Sequence, residues 1–294
     1  MKSAFLILAH TEFEVLKLLV SCLDDPRNDI YLHFDKKVAV LPELHTKQAG
    51  LVVLDRRIDV RWGAPSMIEA EFALFEAALA QGPYQYYHLL SGVDLPLKSQ
   101  DYIHDYCDRH YGDEFIGYTW TEMPDSFRRK VQCRHLFPER FKSRNWCIRA
   151  LRAGFLRLQE ALCLYRNKDV DFKKGSQWVS ITDGMARCFV DHKAWVRKTF
   201  RNTFCCDELV MQTLCWMSPY RERIHSLVSD GEGCLRLIGW RENPAGGEWI
   251  LKDWTESDYE QLKASPALFA RKFNSQDLHF LEKIVSLSSN HHSL

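Results

Sequence analysis

Short apolar runs alternate with amphipathic segments through the first third of the chain, and this alternation limits the folds that the chain can adopt. The runs at residues 4–9, 30–34 and 86–90 have the length and composition of buried strands. Residues 14–23 and the stretch that starts at Ser66 carry their apolar side chains at helical spacing instead. Strands separated by helices at this pitch build a mostly parallel sheet covered by helices. The sequence therefore predicts an α/β fold.

The remainder of the chain continues the same pattern. Further strands are predicted at residues 51–54, 58–62, 177–182 and 235–240, and further helices at 146–165, 184–190 and 209–216. The 294 residues are 46% hydrophobic and 27% charged, which is the profile of a globular protein and excludes a disordered, collagenous or coiled-coil chain. We expect one domain over residues 1–287 and a polar tail at 288–294.

Charge, the length of apolar runs and cysteine spacing narrow the class of protein. The 39 basic side chains balance 39 acidic ones, whereas a dedicated nucleic-acid binder is usually basic. No stretch reaches the ~18 apolar residues of a membrane span, and the first run is too short for a signal peptide, so we expect a cytoplasmic protein. The ten cysteines form no C-x-x-C pair and are expected to be reduced thiols, although Cys205 and Cys206 leave a redox pair open.

The segment from residue 126 to 174 differs from the rest of the chain in charge. It holds 14 basic residues against four acidic ones, and its stretch at 146–165 has the pattern of an amphipathic helix. Basic amphipathic helices gather at anionic membranes. The segment is therefore either a surface that binds an anionic membrane or an anionic acceptor molecule, or an ordinary solvated helix that covers the core. Arg128, Arg129 and Arg134 are the candidate acceptor contacts, and peripheral contact with the inner membrane face stays open.

Two aspartates follow predicted strands and are the first candidates for chemistry. Asp35 comes directly after the run at 30–34, and Asp94 comes three residues after Ser91, beyond the run at 86–90. Ligands of parallel sheets bind beyond the carboxyl ends of the strands. His33 and Asp35 could also share a metal ion, but two potential ligands without a third nearby are a weak signal for a metal site.

An ordered set of motifs identifies a family. The motifs occupy residues 30–37, 60–63 with Ser66, 88–99, 174–178 and 269–273. Together they resemble the core-2/I-branching β-1,6-N-acetylglucosaminyltransferases and the related peptide O-xylosyltransferases. The resemblance implies an inverting sugar transfer from a nucleotide diphosphate donor on a GT-A-type fold. Because the chain begins almost at its first predicted strand, it resembles a soluble bacterial member without the membrane anchor of the animal enzymes.

The resemblance also implies a catalytic base. Inverting displacement needs a carboxylate that takes the proton of the acceptor hydroxyl. Glu208 lies in the sequence Cys206-Asp207-Glu208, where the resembling enzymes carry Pro-Asp-Glu, so Glu208 is the expected base and Cys206 replaces the proline. The alternative is that Asp207 and Glu208 only favour the start of the next helix electrostatically.

The family is expected to stabilise the leaving diphosphate with cationic side chains and without a metal ion or other cofactor. Arg236 and Lys272 match the positions of these cations, and charge-assisted hydrogen bonds from them would strengthen as the phosphate leaves. Arg271 is adjacent to Lys272, and strand alternation predicts that one of the two points inward. The formal metal motif at 169–171, Asp-Val-Asp, follows a polar stretch and is expected to be a loop.

The same resemblance suggests the contacts of the donor. His10, Asp35, Ser91, Gly92 and Asp94 are the expected nucleotide-binding and donor-binding residues. The expected donor is UDP-N-acetylglucosamine and the expected acceptor is a hydroxyl of a cell-surface glycan, with lipid linkage left open. A UDP-xylose or other UDP-sugar transferase, and a non-catalytic homologue that binds glycan or nucleotide, are the alternatives.

Two tryptophans complete the candidate site. Trp178 lies in the motif at 174–178, and Trp240 closes the predicted strand at 235–240. Either ring could stack on a sugar of the acceptor or fill the core, and aromatic residues at strand positions more often fill the core.

Overall fold

The fold is built from ten strands and eleven helices in the computed structural model, which describes residues 1–244, 246 and 249–289. The strands are β1 (Ser3–Ala9), β2 (Asn28–Phe34), β3 (Gly50–Val53), β4 (Tyr86–Ser91), β5 (Asp94–Pro96), β6 (Ser180–Thr182), β7 (Arg236–Ile238), β8 (Trp240–Arg241), β9 (Ile250–Leu251) and β10 (Phe269–Arg271). The helices are α1 (Phe13–Cys22), α2 (Ser66–Gln81), α3 (Gln100–Arg109), α4 (Asp125–Gln132), α5 (Trp146–Ala161), α6 (Asp183–Asp191), α7 (Lys193–Phe200), α8 (Val210–Trp216), α9 (Asp230–Cys234), α10 (Tyr259–Ala264) and α11 (Leu278–Ser289).

A five-stranded sheet with the order β3-β2-β1-β4-β6 lies at the centre. Strands β1 to β4 run parallel, and β6 closes one edge antiparallel to β4. Every residue of β1 is buried, because helices or a second sheet cover both of its faces. Burial on both faces explains why this strand is a continuous apolar run and not an alternating one. The predicted α/β class is confirmed.

Aromatic packing fixes the helices on one face of the sheet. Phe189 of α6 stacks on Phe72 of α2 with ring centroids 4.4 Å apart, and it meets Phe75 edge to face at 5.2 Å. These three rings are fully buried. Helices α1 and α11 pack on the other face, in a second apolar cluster.

A second sheet of three strands, in the order β5-β10-β7, lies against that other face. Strand β10 pairs antiparallel with β5 and parallel with β7. Since β5 follows β4 after two residues, this pairing brings residues 269–272 beside the carboxyl end of β4.

Several predicted strands differ from the observed ones. Residues 58–62 form no strand, because side chains bind their backbone: Ile58 N–H donates to His33 Nε2, and Val60 O accepts from Lys37 Nζ. The strand predicted at 177–182 shortens to β6, and the one at 235–240 divides into β7 and β8.

The structure also tests the predictions for the C-terminal tail, the cysteines and membrane-spanning segments. Helix α11 extends through Ser288 to Ser289, so the predicted polar tail begins inside a helix, and residues 290–294 lie outside the described residues. All ten cysteines are free thiols, Cys205 and Cys206 included. Among the described residues, no helix is both long and apolar enough to cross a membrane.

Candidate active site

A cavity of about 400 Å³ opens at the carboxyl ends of β1 and β4. Strand β1 has β2 on one side and β4 on the other, so the chain direction across the sheet reverses here, which is where parallel sheets bind ligands. His10 follows β1 in the cavity wall, and Ser91 and Gly92 follow from β4. A Cβ atom on Gly92 would lie 3.2 Å from the Ala9 Cβ, so the glycine allows the two strand ends to approach closely.

Asp35 forms one side of this cavity, as the sequence predicts. It is buried and accepts hydrogen bonds from Lys37 N (2.8 Å) and Lys37 Nζ (2.6 Å). The neighbouring His33 accepts from Ile58 N–H at 3.0 Å, and burial lowers its pKa to about 4. Since the Nε2 lone pair of His33 is already occupied, the structure does not support a metal site on His33 and Asp35.

Asp94 lies behind the cavity wall and not in it. It is fully buried and accepts from Ser91 N–H (3.0 Å), Ser91 Oγ (2.5 Å) and Arg271 Nε (3.1 Å). The Arg271 guanidinium carbon also lies 4.3 Å from the centroid of the Trp178 ring. Asp94 therefore acts through Ser91 and Arg271, the two side chains that it holds. Trp178 packs against Arg271 and also lines the cavity.

Arg271 and Lys272 both line the cavity. Strand β10 ends at Arg271, so strand alternation does not apply to Lys272. Lys272 Nζ lies 3.4 Å from Asp253 Oδ1. Two cationic residues that are adjacent in sequence thus line the same cavity.

Arg236 does not face the cavity, and the structure contradicts its predicted position beside a diphosphate. Its side chain is only 2% exposed and donates to Cys234 O (2.6 Å), Val179 O (3.0 Å) and Ser180 Oγ (2.9 Å). The guanidinium lies between the two sheets because β7 begins at this residue and directs it inward. Sequence position alone did not distinguish this arginine from Arg271.

Glu208 lines the cavity at the end of a short 3₁₀ turn, Cys206–Glu208, that precedes α8. Its Oε2 lies 3.4 Å from Lys174 Nζ and 3.7 Å from Lys130 Nζ. The two lysines place positive charge beside a carboxylate that is open to the cavity. This position is compatible with the predicted base.

Two further acids lie near the turn that carries Glu208. From the sequence, Asp207 was considered only for the start of the next helix, and Glu71 was missed. Asp207 lines the cavity, where burial and the nearby Glu208 charge raise its pKa to about 7. Glu71 of α2 is buried, accepts from Gln177 Nε2 at 2.7 Å, and has its pKa raised well above the ordinary value by burial. A charged residue inside the apolar stretch of α2 is the signal that could have identified Glu71.

Close backbone contacts fix the wall that faces Glu208. Gly175 N–H donates to Glu208 O at 3.0 Å, and Ser176 N–H donates to Asp230 Oδ1 at 2.7 Å. A Cβ atom on Gly175 would lie 1.8 Å from Gly117 O, so this position admits only glycine without backbone movement.

The predicted acceptor contacts divide into two groups. Trp240 lines the cavity, where Trp62 joins it, and both rings are more than half exposed. Arg128, Arg129 and Arg134 do not line this cavity, which corrects their predicted role. Arg129 pairs with Glu160 at 2.8 Å, Arg128 lies over the Tyr165 ring, and Arg134 lines a separate basic cavity.

Potential metal ligands gather elsewhere. Within the part of the chain that the structure describes, one group of three such residues is compact enough to hold an ion, namely His110, Asp113 and His225, and none of them lines the cavity. The predicted loop at 169–171 is confirmed, and Asp171 pairs there with Lys173.

A mostly parallel sheet flanked by helices, with a cavity at its carboxyl edge, is the architecture of a GT-A-type glycosyltransferase. The family model of the Core-2/I-Branching enzymes matches residues 3–263, so the chain belongs to that family and is a glycosyltransferase. The crystal structure of mouse xyloside xylosyltransferase 1 in its apo form aligns over 91% of this chain and 97% of that chain, with a TM-score of 0.35 and 9% identity. None of the curated proteins matches the sequence.

Proposed function

We propose that the protein is an inverting, metal-independent transferase that moves a sugar from a UDP-sugar to a hydroxyl of a glycan acceptor. The observation that carries the proposal is that Glu208, Arg271 and Lys272 line the same cavity at the switch point of the sheet. A carboxylate and two cations are the charges that the two ends of a displacement at the anomeric carbon require.

Glu208 is the proposed base. As the acceptor oxygen forms its bond to the anomeric carbon, the bond to the diphosphate oxygen breaks, the hydroxyl proton passes to Glu208, and UDP leaves with the electron pair. The configuration at the anomeric carbon inverts because the two oxygens occupy opposite faces. Lys174 and Lys130, at 3.4 and 3.7 Å from Glu208 Oε2, hold the carboxylate beside the cavity.

Arg271 and Lys272 are the proposed diphosphate contacts, with Arg271 taking the place expected for Arg236. Asp94 and Trp178 hold the Arg271 guanidinium on two sides, so its position is set before the donor binds. Preorganised cations stabilise developing negative charge without reorganisation during the reaction. This fixed geometry supports leaving-group stabilisation by side chains.

The nucleotide is assigned to the side of the cavity that holds His10 and Asp35, and the donor sugar to Ser91 and Gly92. The proposed donor sugar is N-acetylglucosamine, which would become β-linked to a glycan destined for the cell surface. The proposed location of the reaction is the cytoplasm. These choices rest on the resemblance of the motifs. UDP-xylose is the second candidate donor. Trp240 and Trp62, exposed beside the cavity, are the proposed acceptor platform because exposed aromatic rings can stack on sugar faces.

The test is UDP release from a panel of UDP-sugars in excess EDTA, with the wild type, Glu208→Gln and the matched surface variant Glu222→Gln. We expect turnover of one donor in EDTA, a loss of about 10²–10⁴-fold in Glu208→Gln, and no change in Glu222→Gln.

Three results would count against this function. Activity that needs added Mg²⁺ or Mn²⁺ would contradict the roles of Arg271 and Lys272. Undiminished turnover in Glu208→Gln would show that Glu208 is not the base. Tight UDP binding without turnover of any donor, with and without glycan acceptors, would favour the non-catalytic homologue.

A further inference from the structure

Helix α5 presents an apolar face to solvent. Gln159 is its one buried residue among those that the structure describes. Large apolar side chains stand exposed along the helix and directly after it, namely Trp146 (76% exposed), Leu151 (55%), Leu158 (54%) and Leu162 (58%). Most exposed apolar residues occur singly on a protein surface, so this concentration on one helix calls for a partner.

The exposed side chains form one stripe. Cys147, Leu151, Gly154, Leu158 and Leu162 follow one another at intervals of three or four residues, which places them along one side of a helix. All of them are exposed. The stripe therefore continues over the full length of α5.

Contacts on the opposite side fix the rotation of the helix. Gln159 accepts from Arg134 N–H at 2.8 Å and donates to Arg134 O at 2.9 Å. Arg152 lies over the Phe141 ring, with its guanidinium carbon 4.1 Å from the centroid. Because these contacts hold the inner side, α5 cannot bury the apolar stripe by turning about its axis.

The charges beside the stripe select an anionic partner. Arg157 flanks the stripe, is exposed, and forms no ion pair with any residue that the structure describes. Glu160 is the single acid of α5, and it is neutralised by Arg129 at 2.8 Å. Two copies of the chain packed through α5 would bring their arginines together, whereas an anionic lipid surface would attract them.

The inner side of α5 is connected to the candidate active site by a row of side chains. Phe141, which lies under Arg152, contacts Phe204 with ring centroids 4.2 Å apart, and Phe204 meets Trp62 at 5.5 Å. Trp62 lines the cavity. Helix α5 therefore packs, through these rings, on the side of the cavity where the acceptor is proposed to bind.

We propose that the apolar stripe of α5, with Arg157 at its edge, docks the protein on an anionic lipid bilayer, which presents a lipid-linked glycan acceptor to the cavity. The helix lies in the interface with Leu151 and Leu158 inserted and Arg157 at the level of the headgroups. The identity of the acceptor rests on the proposed function, and the docking surface itself does not.

The experiment is flotation of the full chain with phosphatidylcholine vesicles and with vesicles that contain phosphatidylglycerol. We expect binding to the anionic vesicles only. Leu151→Ser with Leu158→Ser should weaken that binding at least about tenfold, because the apolar insertion is lost. The matched control is Leu227→Ser with Val228→Ser, two residues that are 50% and 82% exposed away from α5, and it should bind as the wild type does.

A second variant tests the charge. Arg157→Gln should weaken binding by about fivefold at low salt and reduce the salt dependence, whereas Arg149→Gln, on the opposite side of α5, should bind as the wild type does. Equal binding to neutral and anionic vesicles, or equal loss in the Leu227/Val228 control, would overturn the proposal. A wild-type dimer in light scattering that Leu151→Ser with Leu158→Ser converts to a monomer would assign the stripe to a second copy of the chain.

The readouts separate the two proposals. UDP release without acceptor takes place in solution, so the α5 variants should leave it at the wild-type rate. If the protein binds vesicles but turns over no UDP-sugar, the docking surface is supported and the proposed function is contradicted. If it turns over a UDP-sugar but binds no vesicles, the proposed function is supported and the docking surface is contradicted.

Discussion

At the residue scale, the two arginines of the second sheet differ in what surrounds them. Arg236 contacts two carbonyls and a hydroxyl in a dry position, so it satisfies buried acceptors. Arg271 contacts the Asp94 carboxylate and an aromatic ring, with part of its guanidinium open to the cavity. We therefore assign Arg236 a structural role and Arg271 a role in binding the diphosphate.

This difference predicts different effects of the same substitution. Arg271→Gln should lower UDP release about 10²–10³-fold, because one preorganised cation is lost, and should also lower the free energy of unfolding, because the buried Asp94 carboxylate loses its cationic partner. Arg236→Gln should lower the free energy of unfolding by about 2 kcal/mol or more, since buried acceptors lose their donors. Urea unfolding and steady-state kinetics on both variants measure this. Inactivity of Arg236→Gln at unchanged stability would reverse the assignment.

Residue patterns could predict much of the cavity but not the choice of cation. His10, Asp35, Ser91 and Gly92 follow strand ends, and the carboxyl edge of a parallel sheet brings such residues together. Whether a strand arginine points into a cavity depends on the neighbour strand, which sequence periodicity does not identify. The assignment of Arg236 to the diphosphate came from the resemblance of the motifs, which carries no information on the side to which the strand directs it.

At the element scale, a close contact between two backbone segments positions the connection from α5 to β6. Gly175 leaves no room for a Cβ atom beside Gly117 O and donates to Glu208 O. The wall and the turn that carries the base are thus joined directly. Gly154, in the middle of α5, has nothing within 4 Å of its Cβ position.

Alanine at these two glycines should act in opposite directions. Gly175→Ala should reduce UDP release at least about tenfold, because a small displacement of a catalytic group is costly, and should also destabilise the fold. Gly154→Ala should raise the free energy of unfolding by about 0.8–1 kcal/mol, the difference in helix propensity, and leave activity unchanged. Urea midpoints with kinetics decide this. A fully active Gly175→Ala would show that the wall does not position the base.

Elements with strong periodicity were predictable, and those held by side chains were not. The runs at 4–9 and 86–90 became β1 and β4 because both faces of the sheet are covered. Residues 58–62 have the composition of a strand, yet His33 and Lys37 take their backbone groups. Such side-chain contacts across more than twenty residues leave no local pattern.

At the scale of the whole molecule, buried acids make stability depend on pH. Burial raises the pKa of Glu114 to about 7, although Thr182 donates to it through N–H (2.9 Å) and Oγ1 (2.5 Å). The pKa of Asp207 is raised to about 7 as well, and burial raises the pKa of Glu71 well above its ordinary value. Because the folded state binds these protons more tightly, their stabilisation is complete below the unfolded pKa and is lost as the pH rises through the folded pKa.

Removing one ionisable group should flatten this dependence. The wild type should lose up to about 3 kcal/mol of unfolding free energy between pH 4.5 and 8 through Glu114 alone. In Glu114→Gln that part should vanish, while the exposed Glu260→Gln should follow the wild-type curve. Denaturant unfolding across this range measures the difference. Parallel curves for the wild type and Glu114→Gln would mean that the carboxyl is not held neutral.

The second sheet marks the limit of what the sequence could establish about the whole. Its three strands come from residues 94–96, 236–238 and 269–271, and each is only three residues long. Pairing over such separations is decided by tertiary packing and leaves no periodic signal. The α/β class was therefore predictable, whereas the sheet that carries the cations was not.

The late position of β10 in the chain makes the cavity depend on the last part of the sequence. Strand β10 lies between β5 and β7, so without residues 269–271 the second sheet has no middle strand. The apolar cluster beside that sheet would also lose Leu268, Phe269 and Phe273, which are fully buried. A premature stop after Ala264 should therefore leave Glu208 in the chain, remove both cations of the cavity and destabilise the fold, so that no UDP is released.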